Sequence, residues 1–179
     1  MNLDDIVVEN FRECLRSYQR SIVWTVTASF FFLLFAPELS KGGEVQVGWT
    51  FVSIWAAWGL ALLAYLVFSW YAKSCLDQAA EALTHFSNQD AHRVTLCKFP
   101  SVATHPNIIV RLGSVAISPV LLFTGLFVRL RHEGSLDSTD AWGGLLLFAL
   151  LFALAPISIA MRLWHPLGLA GKSNQANSK

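Results

Sequence analysis

Apolar residues gather into four long blocks along this chain: Ser21 to Ala36, Val47 to Tyr71, Ile108 to Val128 and Ala141 to Leu163. A helix crossing a hydrocarbon core of ~30 Å needs roughly 20 such residues, with a usable range of about 17–25. The second, third and fourth blocks meet that length. The first is the shortest and becomes adequate if its helix starts earlier, with Arg20 snorkelling toward the head groups. The pattern therefore predicts an all-α, polytopic membrane protein with four transmembrane helices. Two hairpins are expected: 21–71, with spans 21–36 and 47–71, and 108–163, with spans 108–128 and 141–163.

The polar stretches between the blocks predict the remaining elements. In residues 4–20, Val7, Phe11, Cys14, Leu15, Tyr18 and Ile22 recur on one face of a 3.6-residue period. This makes 1–20 an amphipathic juxtamembrane helix, with Asp4 and Asp5 at the positive end of its dipole. The first half of the loop 72–107 should continue the second span as a helix. Cys75, Leu76, Ala79, Leu83 and Phe86 share a face, and Lys73 with Asp77 forms an i, i+4 pair. Ser87 to Asp90 reads as a turn. Thr104 or His105 is placed to cap the third span, with Pro106 in its first turn. A loop this short cannot build its own core, so it must pack on the amino-terminal helix, the membrane or another subunit. The polar tail 164–179 is expected to be disordered.

Composition supports the membrane reading: hydrophobic residues make up 54% of the 179-residue chain and charged ones 14%, too few to cover a soluble core of this kind. The first block does not read as a cleaved signal peptide. Four acids precede it (Asp4, Asp5, Glu9, Glu13), and APELSKGG after it offers no small-x-small cleavage site.

Charge sets the expected orientation. Arg12, Arg16, Arg20, Lys73, Arg93, Lys98, Arg111, Arg162, Lys172 and Lys179 fall on one side of the spans, and only Lys41, Arg129 and Arg131 on the other, out of 13 Lys and Arg in all. The positive-inside rule puts both termini and the 72–107 loop in the cytoplasm, an N-in/C-in topology, with the plasma (inner) membrane as the expected location. Tyr18, Trp24, Trp70, Tyr71 and Trp164 then sit near the inner interface, and Trp49 and Trp142 near the outer one.

Candidate chemistry is sparse. Cys14, Cys75 and Cys97 all fall on the expected cytoplasmic side, where thiols stay reduced. Cys75, His85, His92, Cys97 and His105 are ligand types, but their intervals fit no short-spaced zinc pattern. GxSxG, HExxH and phosphate-loop patterns are absent, and no cofactor or metal is expected. The span interiors carry hydroxyls (Thr25, Thr27, Ser29, Ser53, Ser114, Ser118, Thr124, Ser158) and no carboxylate, and Arg111, Arg129 and Arg162 read as terminal. Ion-coupled transport normally keeps ionisable groups at mid-membrane, so it is disfavoured.

The spans offer packing instead. Ala57 and Ala61, Ser114 and Ser118, and Ala149 and Ala153 are small-xxx-small pairs that allow close helix approach. Trp55, Trp58, Leu62 and Tyr65 form an aromatic seam on the second span. Pro119 and Pro156 should each free a backbone carbonyl. Two apolar stripes, Phe11, Leu15, Tyr18 and Leu76, Leu83, Phe86, are expected to hold a protein partner or to pack on each other. The sequence thus points away from an enzyme. It favours a non-catalytic membrane subunit or effector, or a homo-oligomer, whose partners are the lipid bilayer and protein rather than nucleic acid. A small channel or transporter is the first alternative. The second is an enzyme acting on lipid at the inner interface through Arg111 and His105.

Overall fold

A computed structural model describes residues 3–36, 43–47, 50–84, 100–132 and 139–164. Its elements are α1 (Leu3–Phe35), a two-stranded ribbon of β1 (Glu44–Val47) and β2 (Thr50–Ser53), α2 (Ile54–Thr84), a short 3-10 turn (Val102–Thr104), α3 (Ile108–His132) and α4 (Thr139–Trp164). The helices form a four-membered ring in which α1 packs on α2 and α3, while α4 packs on α3 and α2. One end of the bundle carries the amino terminus of α1; the ribbon marks the other.

The amphipathic segment and the first apolar block are one uninterrupted helix. No glycine or proline breaks residues 3–35, and the hydroxyls inside it fold back on their own backbone. Ser21, Thr25 and Ser29 donate to the carbonyls of Ser17, Ser21 and Thr25 at 2.7, 2.7 and 2.9 Å. Such bonds satisfy the hydroxyl without any partner helix. At 33 residues, α1 is ~50 Å long, well beyond a hydrocarbon slab.

Burial along α1 and α2 follows a heptad. Phe11, Leu15, Tyr18, Thr25, Ser29, Phe32 and Ala36 are buried on α1, with partly buried Ile22 completing alternating steps of four and three. Tyr65, Ser69, Ala72, Leu76, Ala79 and Leu83 do the same on α2. A 3.5-residue period keeps two helices in contact over many turns. The pair is antiparallel, because contacts climb one helix as they descend the other. The Phe32 and Trp58 rings stack at 4.4 Å and the Trp24 and Phe68 rings at 5.9 Å, and the Cys14 Sγ meets Gln78 Oε1 at 3.8 Å. Bulky Phe11 and Tyr18 share a core with small Ala72 and Ala79, which lets the backbones approach.

Two clusters fill the bundle. The first, toward the amino-terminal end, joins the α1–α2 pair to Ala103, Val115, Ile159 and Leu163. The second holds Ala28, Phe32, Ala61, Tyr65, Leu122 and Leu126, flanked by Trp58, Phe148 and Phe152. Gly125 is needed in the second: a Cβ there would lie 2.9 Å from Phe32 Cδ1 and 3.0 Å from the Leu33 Cα. Only a residue without a side chain lets α3 come this close to α1.

Two features differ from those read off the sequence. The second span opens at Ile54, not at Val47. Glu44–Val47 and Thr50–Ser53 pair antiparallel, with Val45 opposite Val52 and Gln46 opposite Phe51. Valine, threonine and phenylalanine favour this extended form, and the ribbon is a short connection in an otherwise all-helical structure. Gly43, at φ 138°, turns the chain so that its carbonyl accepts the Ile54 N–H at 3.1 Å, and the Ser53 Oγ accepts the Ala56 N–H at 3.3 Å as an N-cap. Second, the cap of α3 is neither Thr104 nor His105 but Asn107, whose Oδ1 accepts the Ile109 N–H at 2.8 Å. Helix α2 runs on to Thr84, as the loop pattern suggested.

Large apolar side chains cover the outside, among them Leu60, Leu63, Val67, Val120, Phe127, Leu150 and Leu154, all exposed. Soluble monomers rarely show patches of this extent. By length and composition, α2, α3 and α4 can each cross a membrane. Helix α1 does not reach that measure alone: its charge-free part is Ser21 to Phe35, ~22 Å long. The expected tail, the turn at 87–90 and Phe86 lie outside the described residues.

Candidate functional site

Arg111 is the most unusual group in the bundle. It lies one turn into α3 with 3% of its surface exposed. Its Nε donates to the Leu163 carbonyl at 3.0 Å and its Nη2 to the Trp164 carbonyl at 3.4 Å. Its Nη1 donates to the carbonyls of His105 and Pro106 at 2.6 and 3.3 Å. All four acceptors are backbone. The last carbonyls of a helix have no intrahelical donor and carry the negative end of its dipole. A planar fork of donors suits that end better than a lysine could. Arg111 therefore caps α4 and ties it to the segment entering α3. Terminal in sequence, it is internal in the fold, and it is not open to a lipid head group. His105 is exposed, and its Nδ1 accepts the Asn107 N–H at 3.1 Å.

The two prolines raise a second question of backbone accounting. A helical proline has no N–H to give the residue four positions back, so Pro119 leaves the Val115 carbonyl free and Pro156 the Phe152 carbonyl. Each meets a hydroxyl. Tyr65, fully buried on α2, donates across the bundle to the Phe152 carbonyl at 2.9 Å. Ser118 donates to the Val115 carbonyl at a longer 3.5 Å. In a setting without water these bonds replace what the prolines remove.

The remaining charges mark the two ends of the bundle. At the amino-terminal end, Asp77 holds Lys73 at 2.8 Å and Arg162 at 3.0 Å, joining α2 to α4. Lys73 also lies 5.8 Å from the Trp70 ring. At the ribbon end, the Arg129 guanidinium sits 4.7 and 5.0 Å from the rings of Trp55 and Trp58, a favourable cation–π arrangement. Trp55 is half-exposed while Tyr65 is buried, so the expected aromatic seam is split between the outside and the core.

The two stripes expected to hold a partner are internal. Phe11, Leu15, Tyr18, Leu76 and Leu83 are each no more than 3% exposed and belong to one cluster. For these five, the outcome is mutual packing, one of the two that the stripes allowed. An amphipathic stripe records that something covers it, and here each stripe covers the other. Among the small-residue pairs, Ala57, Ala61 and Ser118 are buried, while Ser114, Ala149 and Ala153 are half-buried. Sequence reasoning missed the cap formed by Arg111, the role of Gly125 and the Tyr65 bond. The i−4 relation between Phe152 and Pro156 was the one signal that could have flagged a carbonyl in need of a donor.

Among the described residues, no three His, Cys, Asp or Glu side chains gather as metal ligands would. An open apolar groove of about 550 Å³, lined by Leu112, Ile157, Ala160, Met161 and Trp164, lies on the outer face between α3 and α4. It holds no convergent polar groups of the kind that orient a substrate. These features define a helical membrane protein whose polar side chains mainly secure its own backbone. Compared with models of known families, with curated proteins and with solved structures, the chain matches none.

Proposed function

We propose that this chain is a non-catalytic multi-pass membrane protein that acts by association, either as a subunit or effector of a membrane assembly or as a homo-oligomer. The observation that carries the reading is the uneven burial of its spans. Only 18% of the apolar window of α4 is buried, against 28% for α2 and for α3. The ring of four helices leaves α4 with a broad outer face of Leu146, Leu147, Leu150, Leu151, Leu154 and Ile157, all exposed. Association is thereby moved from the cytoplasmic stripes into the plane of the membrane. In this reading Ser21 to Ala36 of α1 makes a fourth crossing, supported by its packing along α2. Both termini are cytoplasmic and the plasma (inner) membrane is the host.

Two measurements test the proposal. In lipid nanodiscs or mild detergent, native mass spectrometry should find the chain at a stoichiometry above one or bound to a second protein. A lone chain in both media overturns association. For topology, cysteines at Gly42 and Ser138 should react with an impermeant thiol reagent outside intact cells, and one at Ser87 should not. Labelling at 87 reverses the orientation.

A further inference from the structure

Cys14 and Cys75 lie on facing helices at equivalent places in the heptad. Cys14 immediately precedes Leu15 in the buried series of α1, and Cys75 immediately precedes Leu76 in that of α2. In an antiparallel pair, flanking positions of the same kind fall on the same side of the seam. Two further observations put Cys14 beside the stretch of α2 that carries Cys75. The Cys14 thiol reaches Gln78, 3.8 Å away and one turn beyond Cys75. Cys14 also packs against the core cluster that contains Cys75. Small Ala72 and Ala79 sit in that cluster, and their short side chains allow the close backbone approach that a bridge requires.

We propose that Cys14 and Cys75 form a reversible dithiol–disulfide pair that covalently locks α1 to α2 at the amino-terminal end of the bundle. A small-molecule disulfide is the oxidant, so on the reducing cytoplasmic side the pair rests as dithiol and closes transiently when that oxidant accumulates. The half-buried Cys14 reacts first, its thiolate attacking one sulfur of the oxidant and expelling the other half as a thiolate that takes up a proton. Cys75, 3% exposed, then attacks the Cys14 sulfur of the mixed disulfide and expels the second half. Two protein thiols become one disulfide, and one small disulfide becomes two small thiols. Burial, then the neighbouring Cys75 and Glu13, push the Cys14 thiol up from its ordinary range. The first step should therefore be slow at neutral pH and faster as pH rises. The lock joins the two helices that form the longest interface of the bundle. It would hold α1 in register without altering any residue that faces lipid.

The test uses the full chain carrying Cys97→Ser, in mild detergent, treated with graded ratios of oxidised to reduced glutathione. The protein is then denatured with N-ethylmaleimide and weighed intact. The expected result is the loss of both maleimide adducts with a mass 2 Da (about two hydrogens) below that of the reduced chain. A proteolytic fragment should join the peptides of Cys14 and Cys75, and the thermal midpoint should rise and fall back on reduction. Cys14→Ala or Cys75→Ala should abolish all three changes. Retention of both adducts across the series, or a stable glutathione adduct on Cys14 that does not resolve, overturns the proposal. The masses of the chain with both cysteines present decide this even if an alanine variant folds poorly.

Discussion

The bond from Tyr65 to the Phe152 carbonyl should be worth more than an ordinary side-chain contact, and its value should depend on Pro156. Tyr65→Phe removes one oxygen and keeps the ring, which lies 5.9 Å from the Phe152 ring in a tilted arrangement. The packing term is therefore nearly unchanged. What changes is the carbonyl, which has no helical donor because residue 156 is proline. Hydrogen bonds between membrane helices average ~0.6 kcal/mol and reach ~1.7, since the unfolded chain in lipid finds other partners. Leaving a buried acceptor without a donor costs about 1–3 kcal/mol. We expect Tyr65→Phe to destabilise by about 1–2 kcal/mol, at the upper end of the membrane range. Pro156→Ala restores an N–H to the same carbonyl, so Tyr65→Phe in that background should cost far less. The double-mutant cycle should give a coupling of ~1 kcal/mol, measured by reversible SDS unfolding or steric trapping in mixed micelles. If Tyr65→Phe costs the same in both backgrounds, within ~0.3 kcal/mol, the proline-freed carbonyl is not what Tyr65 serves.

Arg111→Lys should lower stability by about 2–4 kcal/mol, because an ammonium cannot reach four carbonyls spread over two chain segments; a wild-type thermal midpoint in detergent would remove the capping role. Gly125→Ala should cost about 1–3 kcal/mol from its clash with Phe32 and the Leu33 backbone. Gly113→Ala, where a Cβ meets nothing within 4 Å, should be neutral or gain up to ~1 kcal/mol, and equal effects at the two glycines would contradict the packing of α3 on α1. Replacing Ala57 and Ala61 together by Leu should destabilise the bundle, since both are buried, at 6% and 8% exposure; unchanged unfolding and unchanged particle size in detergent would show that this face tolerates bulk.

Much of the architecture was legible in the sequence. The blocks Ile108 to Val128 and Ala141 to Leu163 became α3 and α4 with their starts within two residues, because in hydrocarbon a segment of this length satisfies all its backbone groups within itself only as a helix. The periodic apolar positions of 4–20 and 72–84 were also read as helix faces. The second span failed at its start, where Val47 and Thr50–Ser53 are apolar enough for lipid yet β-prone enough for a ribbon. Hydropathy does not separate the two. The candidate contacts were ambiguous for a different reason. Phe11, Leu15 and Tyr18 carry the same stripe whether it meets another protein, lipid or α2.

By itself, the sequence determined that the chain builds long apolar helices, roughly where they lie, and which faces must be covered, because block length and period answer to the solvent and to helix geometry alone. Only the tertiary structure decided what covers each face. It set α1 against α2 in antiparallel register, turned Arg111 inward onto the end of α4, and brought Tyr65 within 2.9 Å of a carbonyl 87 residues away. Such pairings depend on distances across the bundle, and these are set by where alanine, serine and Gly125 permit the helices to close.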